Sequence, residues 1–171
     1  MAVAVAKTMP LTGKVIACDV VDSKLKIART MGADATFNVR NLQRSLKEQI
    51  MSMTDNVGVG RIIECSGDSK TITQIFGCLR KGGAITLVGL PKESLKIDNV
   101  LEDLIFKSIQ IRSVHGRRIF RTWNKTERLV ADKKINLKPL VSHLLPLKDF
   151  EKGYTALANG TALKVVFDLT Q

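Results

Sequence analysis

GKVIACDVVDSK, residues 13–24, is an apolar run that ends in a carboxylate and continues directly into a helical pattern. The β-branched residues between Gly13 and Asp19 predict a short strand buried on both faces. Asp22 or Ser23 offers an N-cap oxygen for the helix that follows. The apolar stripe of that helix consists of Leu25, Ile27, Ala28 and Met31, and Gly32 ends it. The stretch therefore predicts a strand, an acidic tip and a helix.

Asp19, at the tip of this strand, has two competing roles. In a parallel sheet that binds a dinucleotide, the carboxylate at the tip of the second strand accepts hydrogen bonds from the adenosine ribose, which is how NAD is held there. A strand-final aspartate also commonly caps the turn that follows it. The stretch alone does not decide between a ribose ligand and a turn cap.

The composition is that of an ordinary folded domain. The chain has 171 residues, of which 44% are hydrophobic and 25% are charged, and this length suffices to bury a core. No apolar run reaches the ~20 residues of a membrane-spanning helix, and the N-terminal residues lack the basic flank of a signal peptide. We therefore predict a cytoplasmic protein with no membrane partner.

The chain is strongly basic, with 27 Lys and Arg against 16 Asp and Glu and a formal net charge of +11. Such an excess attracts phosphates of any kind. The basic residues are scattered over amphipathic helices, and only one Trp and one Tyr could stack on bases. Nucleic acid is therefore the less favoured partner.

Cysteine and histidine usage predicts neither a disulfide framework nor a metal site. Cys18, Cys65 and Cys78 are odd in number, far apart and set in apolar surroundings, which is typical of reduced core thiols. His115 and His143 are 28 positions apart, with no Cys or carboxylate spaced to complete a ligand set. We expect both histidines in loops or on the surface.

Strand-like and helical patterns alternate along the chain. Residues 1–9 fit a strand by their valines or a helix crossing over the sheet, and their place before a strand favours the helix. Further strands are predicted at 33–39, 59–65, 84–88, 108–114 and 163–169. Helices are predicted from caps at Asn41, Asn99 and Asp149, over Ser69–Arg80 with Gly82-Gly83 closing it, and from the basic loop 117–121. An extended connection is expected between Pro139 and Pro146. The alternation predicts an α/β fold, a doubly wound parallel sheet with helices on both faces.

Five short motifs are informative through their order and the distances between them. They are ACDVVDSK at 17–24, MGADA at 31–35, ECSG at 64–67, KGGA at 81–84 and LVGLP at 87–91. With this spacing the chain resembles the cofactor-binding half of the zinc-type medium-chain alcohol and polyol dehydrogenases. GRRIFRTW at 116–123, followed by KPLVSH at 138–143, is most similar to the threonine 3-dehydrogenase branch. The resemblance implies a single NAD-binding, Rossmann-like domain over residues 1–171.

The resemblance also implies a set of cofactor-binding residues. Asp19 and Lys24 would contact the adenosine ribose, and a lysine before the last strand would lie beside the pyrophosphate. Two valine carbonyls and a backbone amide after the fifth predicted strand would hold the nicotinamide carboxamide. A Ser-Gly pair matches the adenosine side, where the glycine would let the cofactor approach closely. The full set is Asp19, Lys24, Ser66, Gly67, Val88, Gly89, Val114, Gly116 and Lys164.

The family pattern is incomplete here. The phosphate-binding Gly-x-Gly-x-x-Gly turn after the first strand is absent from the sequence, and Gly58-Val59-Gly60 precedes a strand and is more simply a turn. By the resemblance, the chain lacks that first strand, its glycine loop and the upstream domain that carries the catalytic zinc. We therefore assign no catalytic residue and expect zinc only in the absent domain. His115 falls where the family's cofactor pocket opens.

The resemblance thus predicts the cofactor-binding portion of an NAD-dependent dehydrogenase for a secondary alcohol of an amino acid or polyol. In such enzymes zinc polarises the alkoxide while hydride passes to the nicotinamide, so the chain alone should be inactive. The alternative is a non-catalytic, truncated remnant or interaction module of that family. Homo-oligomers are expected through the strand at 109–114 and through unpaired strand edges. The substrate pocket would be lined mainly by the absent domain.

Overall fold

The structure is a computed structural model that describes residues 1–10 and 13–170. The chain divides into two compact units, here called the central unit (residues 41–119) and the terminal unit (residues 1–40 and 120–171). The helices are α1 (Ala2–Lys7), α2 (Asp22–Thr30), α3 (Leu46–Met53), α4 (Ser69–Ile75), α5 (Arg121–Ala131) and α6 (Phe150–Ala158). The strands are β1 (Ile16–Asp19), β2 (Ala35–Asn38), β3 (Val59–Glu64), β4 (Leu79–Leu87), β5 (Gln110–Ser113), β6 (His143–Pro146) and β7 (Val165–Asp168). Short 3₁₀ turns lie at Phe76–Cys78, Lys138–Leu140 and Leu147–Asp149, and a π turn lies at Leu101–Ile105.

The strands form three separate sheets, ordered β1-β2, β3-β4-β5 and β6-β7. Every strand pair in these sheets is parallel. Parallel strands need crossover connections, and helices supply them between β1 and β2, between β3 and β4, and between β6 and β7. The predicted α/β class with parallel strands is confirmed.

The terminal unit has a small helical core. Ala4, Met31 and Ile135 are buried together, and residues of α1, α2 and α5 pack around them. Burial of Ala4 against this core explains why the N-terminal Ala-Val alternation forms a helix rather than a strand, as the position of the segment favoured. Gly32 follows α2 with φ of +100°, which ends that helix where predicted.

Asp34 fastens the beginning of β1. Its Oδ2 accepts a 2.6 Å hydrogen bond from the Val15 amide and lies 3.0 Å from the Lys7 ammonium on α1. The Val15 hydrogen bond, and next the Lys7 contact, hold the pKa of this carboxyl below its usual value. One side chain therefore ties α1, β1 and the turn before β2 together.

The central unit is a three-stranded sheet with α4 packed on it. Its core consists of Ile72, Ile75, Phe76, Leu79 and Ile85, and Ile72, Leu79 and Ile85 are wholly inaccessible to solvent. β4 is the middle strand, and its pairing with β3 shifts register between Val59 and Arg61. β5 lies at the edge of this sheet, and all four of its residues are exposed.

Several predicted helix boundaries are wrong. α2 begins after Val21 without a side-chain cap, because Asp22 binds Asn38 instead. The N-cap of α3 is Ser45 rather than Asn41, because Ser45 and Glu48 form a capping box. Asp149 does occupy the N-cap position of α6, as predicted, but its side chain makes no capping hydrogen bond.

The predicted boundary between α4 and β4 is also wrong. α4 ends at Ile75, and β4 begins at Leu79 and runs through the two glycines that were expected to close the helix. Leu79 is drawn into the sheet because it pairs with Val59. The connection expected between Pro139 and Pro146 contains β6, which pairs with β7.

Burial also differs from expectation on β1 and at the cysteines. β1 is only partly buried and Cys18 is exposed. Cys65 is exposed as well, and only Cys78 is a core thiol. All three are free. Of the helices that the structure describes, none combines the length and the apolar character needed to cross a membrane.

The capping box predicts a specific stability difference. Ser45→Ala removes the hydroxyl that accepts the Glu48 amide and should lower the free energy of unfolding by about 1 kcal/mol. Asn41→Ala, at the cap expected from sequence, is the matched control and should change it by less than about 0.5 kcal/mol. Urea unfolding followed by far-UV circular dichroism measures both. A larger effect for Asn41→Ala would contradict the assignment.

Asp34 predicts a pH dependence of stability. A carboxyl with a lowered pKa in the folded chain stabilises it above the unfolded pKa of about 3.9, and this contribution is lost as pH falls through the folded pKa. The stability difference between the wild type and Asp34→Asn should therefore be constant above about pH 5 and shrink below about pH 4. Asp132→Asn is the control, since Asp132 only contacts exposed Lys134 at 3.4 Å. A pH-independent Asp34→Asn difference would refute the proposed coupling.

Candidate functional site

The carboxyl ends of the three central strands meet at one edge of the sheet. Glu64 at the end of β3 pairs with Leu87 on β4, and Leu87 pairs with Ser113 on β5. Ligands of open parallel sheets bind outside the carboxyl ends of the strands. The turns at this edge contain most of the predicted site residues, which are Ser66, Gly67, Val88, Gly89, Val114 and Gly116.

Glu64 organises the first of these turns. It is 4% exposed and is the only buried charged residue among those described. Its Oε1 accepts hydrogen bonds from the Ser66 amide at 2.6 Å and the Gly67 amide at 3.1 Å, and also from the Ser66 hydroxyl. The Ser66 hydroxyl in turn accepts the Asp68 amide at 3.1 Å. The amide and the hydroxyl of Ser66 are therefore both hydrogen-bonded to Glu64 at the end of β3.

Gly67 and Gly89 allow the turns after β3 and β4 to touch. Gly67 has φ of +71°, and a Cβ there would lie 2.6 Å from the Leu90 carbonyl oxygen. A Cβ on Gly89 would lie 2.7 Å from Glu64 Oε2 and would collide with the Gly67 amide. The chain's own close approach to itself thus already requires glycine at 67, whether or not a cofactor also approaches there.

Val88 and Val114 continue the same edge through their main chains. The Val88 and Gly89 amides donate to the Glu64 carbonyl at 2.8 and 3.1 Å, and the Val114 amide donates to the Leu87 carbonyl at 2.9 Å. These contacts do not use the carbonyl groups of either valine. Both valines are more than 40% exposed, so neither is a core residue. Gly116 has φ of +66°, with open space around its α-carbon.

Asp19, in the terminal unit, has one occupied and one unoccupied oxygen. Oδ1 accepts the Val20 and Val21 amides at 2.8 and 3.0 Å, which is the turn cap. Oδ2 receives no hydrogen bond within the described part of the chain. Lys24, in the first turn of α2, is exposed. Asp19 is therefore a turn cap that keeps an acceptor available.

Lys164 and His143 also belong to the terminal unit. The Lys164 carbonyl accepts the Ser142 amide at 2.9 Å, while its side chain is exposed. His143 is half-buried, and its Nδ1 lies 3.0 Å from the Ser142 hydroxyl. His115 is exposed in the loop after β5. The predicted site residues thus divide between the units, with six in the central unit and three in the terminal unit.

Within residues 1–10 and 13–170, no three His, Cys, Asp or Glu side chains are grouped so as to hold a metal ion. Partial desolvation raises the pKa of the Cys18 thiol to about 11, although the residue as a whole is exposed. Desolvation, and then the charge of Glu64, raise the pKa of Cys65. Neither thiol belongs to a group of candidate ligands among the described residues. The described residues do not fit zinc.

A shallow depression of about 500 Å³ lies along α6, and none of the predicted site residues lines it. Its lining is Glu151, Lys152, Thr155, Ala156, Asn159 and Thr161. It is open, and all of these residues but Ala156 are polar or charged, so it lacks the enclosed apolar walls typical of a small-molecule pocket.

The strand-end turns and the parallel α/β fold are features of dinucleotide-binding domains, and comparison with known proteins defines the class. The family model described as "Zinc-binding dehydrogenase" matches residues 1–132. The chain is 34% identical over 172 residues to L-threonine 3-dehydrogenase from Burkholderia vietnamiensis, covering 99% of this chain and 48% of that protein. It therefore belongs to the zinc-binding dehydrogenase family.

Solved structures agree on the fold. An alcohol dehydrogenase from Thermotoga maritima superposes with a TM-score of 0.81 at 27% identity, over 95% of this chain and 45% of that one. An alcohol dehydrogenase from Escherichia coli CFT073, solved with NADH, gives 0.80 at 18% identity, over 96% and 48%. The fold is Rossmann-like, and the chain spans about half the length of these relatives.

The two glycines with positive φ at this edge predict different costs. In Gly116→Ala only the backbone conformation is unfavourable, and the free energy of unfolding should fall by about 1–2 kcal/mol. In Gly67→Ala the new Cβ also meets the Leu90 main chain, so the loss should be about 3 kcal/mol or more. Urea unfolding of both variants measures the difference. Equal losses of the free energy of unfolding would show that Gly67 does not lie in close contact with the Leu90 main chain.

Proposed function

We propose that this chain is the cofactor-binding portion of an NAD-dependent zinc-type dehydrogenase that oxidises a secondary alcohol. The substrate class proposed is that of the threonine 3-dehydrogenases, since a protein of that name is 34% identical over nearly the whole chain. The observation that carries the proposal is Asp19, whose Oδ1 is anchored by two amides while Oδ2 stays available.

Each unit, taken by itself, offers some groups of the kinds that bind NAD. The Asp19 carboxylate can accept from the ribose hydroxyls, and Lys24 supplies a cation nearby in the first turn of α2. The carbonyls of Val88 and Val114 can accept from a carboxamide NH₂, and Gly116 leaves room for a backbone approach. The sequence lacks the glycine-rich turn that supplies the main phosphate donors, so we expect the chain alone to bind NAD weakly.

The chain's own residues would bind and orient the cofactor rather than perform chemistry. When bound, NAD supplies the hydride acceptor. Hydrogen bonds to two main-chain carbonyls would fix the plane of the carboxamide and hence the face of the ring that meets the substrate. The described residues do not fit zinc, so no polarisation of an alkoxide is assigned to them.

Asp19 should also select between cofactors. Its carboxylate, fixed at a strand tip, would repel the 2′-phosphate of NADP. Lys24 would act in the opposite direction, but as a flexible point charge. We expect exclusion of NADP to prevail.

A non-catalytic interaction module is the second candidate, favoured by apolar exposure around β5. Ile105, Phe106 and Ile119, in the chain segments before and after β5 in the central unit, are each more than half exposed. Exposed apolar residues commonly mark interfaces where they form a patch. Self-association through the β5 edge is the interaction that such a module would use.

Asp19→Asn isolates the charge from the cap, because an asparagine Oδ1 can still accept the Val20 and Val21 amides. We expect the wild type to bind NADH more tightly than NADPH and Asp19→Asn to reduce that preference by about tenfold or more, since like charges brought together cost several kcal/mol. Asp22, which accepts a 2.8 Å hydrogen bond from the Asn38 side chain, provides the control. Asp22→Asn should keep the preference for NADH over NADPH. Amide chemical-shift titrations measure dissociation constants into the millimolar range.

An unchanged preference in Asp19→Asn would leave Asp19 as a turn cap only. Titration of single-stranded RNA over a salt series tests the basic charge separately, because phosphate-driven binding weakens steeply with salt. RNA binding without NADH binding would refute the proposed function.

A further inference from the structure

Glu64 is a buried charge that the proposed function does not use directly. Burial of an unpaired carboxylate is strongly unfavourable, so buried carboxylates are retained only where several donors satisfy them. Glu64 has such donors in the Ser66 amide, the Ser66 hydroxyl and the Gly67 amide. Gly67 N is also 3.2 Å from Oε2. All of them come from the turn that directly follows β3.

The same residue holds the turn after β4. Its main-chain carbonyl accepts the Val88 and Gly89 amides. Its carboxylate borders Gly89 so closely that a Cβ there would lie 2.7 Å from Oε2. The side chain of Glu64 thus holds the turn after β3, and its main-chain carbonyl holds the turn after β4. One residue therefore fixes the two turns relative to each other.

These contacts determine the direction of the turn carbonyls. No cis peptide bond occurs in the described chain, and in a planar trans peptide the N–H and C=O groups point in opposite directions. Because the Gly89 N–H points at Glu64, the Val88 C=O points away from it. The Cys65 and Ser66 carbonyls are likewise turned away from the buried carboxylate.

We infer that Glu64 is a positioning residue for the cofactor site: its main-chain carbonyl binds the Gly89 amide and so directs the Val88 carbonyl toward the nicotinamide carboxamide, while its buried carboxylate holds the Ser66–Gly67 turn against Gly89 and keeps the two turns in this arrangement. The inference rests on the proposed function for the identity of the ligand. The arrangement of the two turns is a property of the ligand-free chain.

Glu64→Gln is the sharpest test, because it keeps the size of the side chain but replaces one acceptor oxygen with a donor NH₂. The Gly67 amide contacts both carboxylate oxygens, so in the variant it faces a second donor. Ile72→Val, in the same unit and wholly inaccessible to solvent, is the control for a general loss of stability. All proteins are compared at a temperature where each is fully folded.

The first readout is hydrogen exchange of the Ser66 and Gly67 amides without ligand, since these two amides donate to the carboxylate. Glu64→Gln should accelerate exchange at these amides by about tenfold or more, as expected for lost hydrogen bonds to a charged group. Ile72→Val should not change them selectively. Unchanged exchange in Glu64→Gln would overturn the positioning role, whatever the cofactor does.

The second readout is NADH binding by chemical-shift titration. Glu64→Gln should raise the dissociation constant by about tenfold, and Ile72→Val should leave it unchanged. Faster exchange with unaltered NADH binding, or equal weakening in both variants, would overturn the inferred role in the cofactor site. If the wild type shows no NADH binding at several millimolar, the proposed function fails, and so does the cofactor role of Glu64, while the exchange data still decide whether Glu64 orders the turns.

Discussion

Parallel register is the constraint on which the central unit depends. Because Glu64, Leu87 and Ser113 lie side by side, the segments that follow three separate strands emerge at one edge. Six of the nine candidate residues lie in those segments. They lie within three residues of a strand end, so the register alone places them at the same edge of the sheet.

The terminal unit repeats this arrangement with fewer strands. Asp19 pairs with Asn38 at the ends of β1 and β2, and the Asn38 amide reaches Asp22 in the first turn of α2. The beginning of β1 is held by the Asp34 contact with the Val15 amide. The position of Asp19 is thus fixed from both ends of its strand, which a two-stranded sheet needs because few neighbours hold it.

The sequence predicted the order and type of most strands and helices, because the two periodicities and the glycines between them are local signals. It did not predict the strand boundaries and the burial that depend on residues far away in the sequence. Leu79 belongs to β4 only because Val59 lies opposite it, and Glu64 looks like any exposed strand-final acid until three donors fold over it. The Ser45–Glu48 capping box is a local signal, but Asn41 also resembles an N-cap and was predicted in its place. Cys18 and Cys65 have apolar sequence neighbours but are exposed, and exposure is a tertiary property.

The motifs at 64–67 and 87–91, each of which contains one glycine, are therefore weaker evidence for function than their resemblance to the family suggests. Glycine at 67 and 89 is required by the contact of one turn with the other, and a chain with Glu64 buried at this register would need both whether or not it bound a dinucleotide. The motifs at 64–67 and 87–91 are thus evidence for the fold. Evidence for a ligand must come from polar groups that the fold leaves unused. Asp19 Oδ2 is such a group, because the turn needs only Oδ1, and the functional interpretation depends on it more than on any glycine.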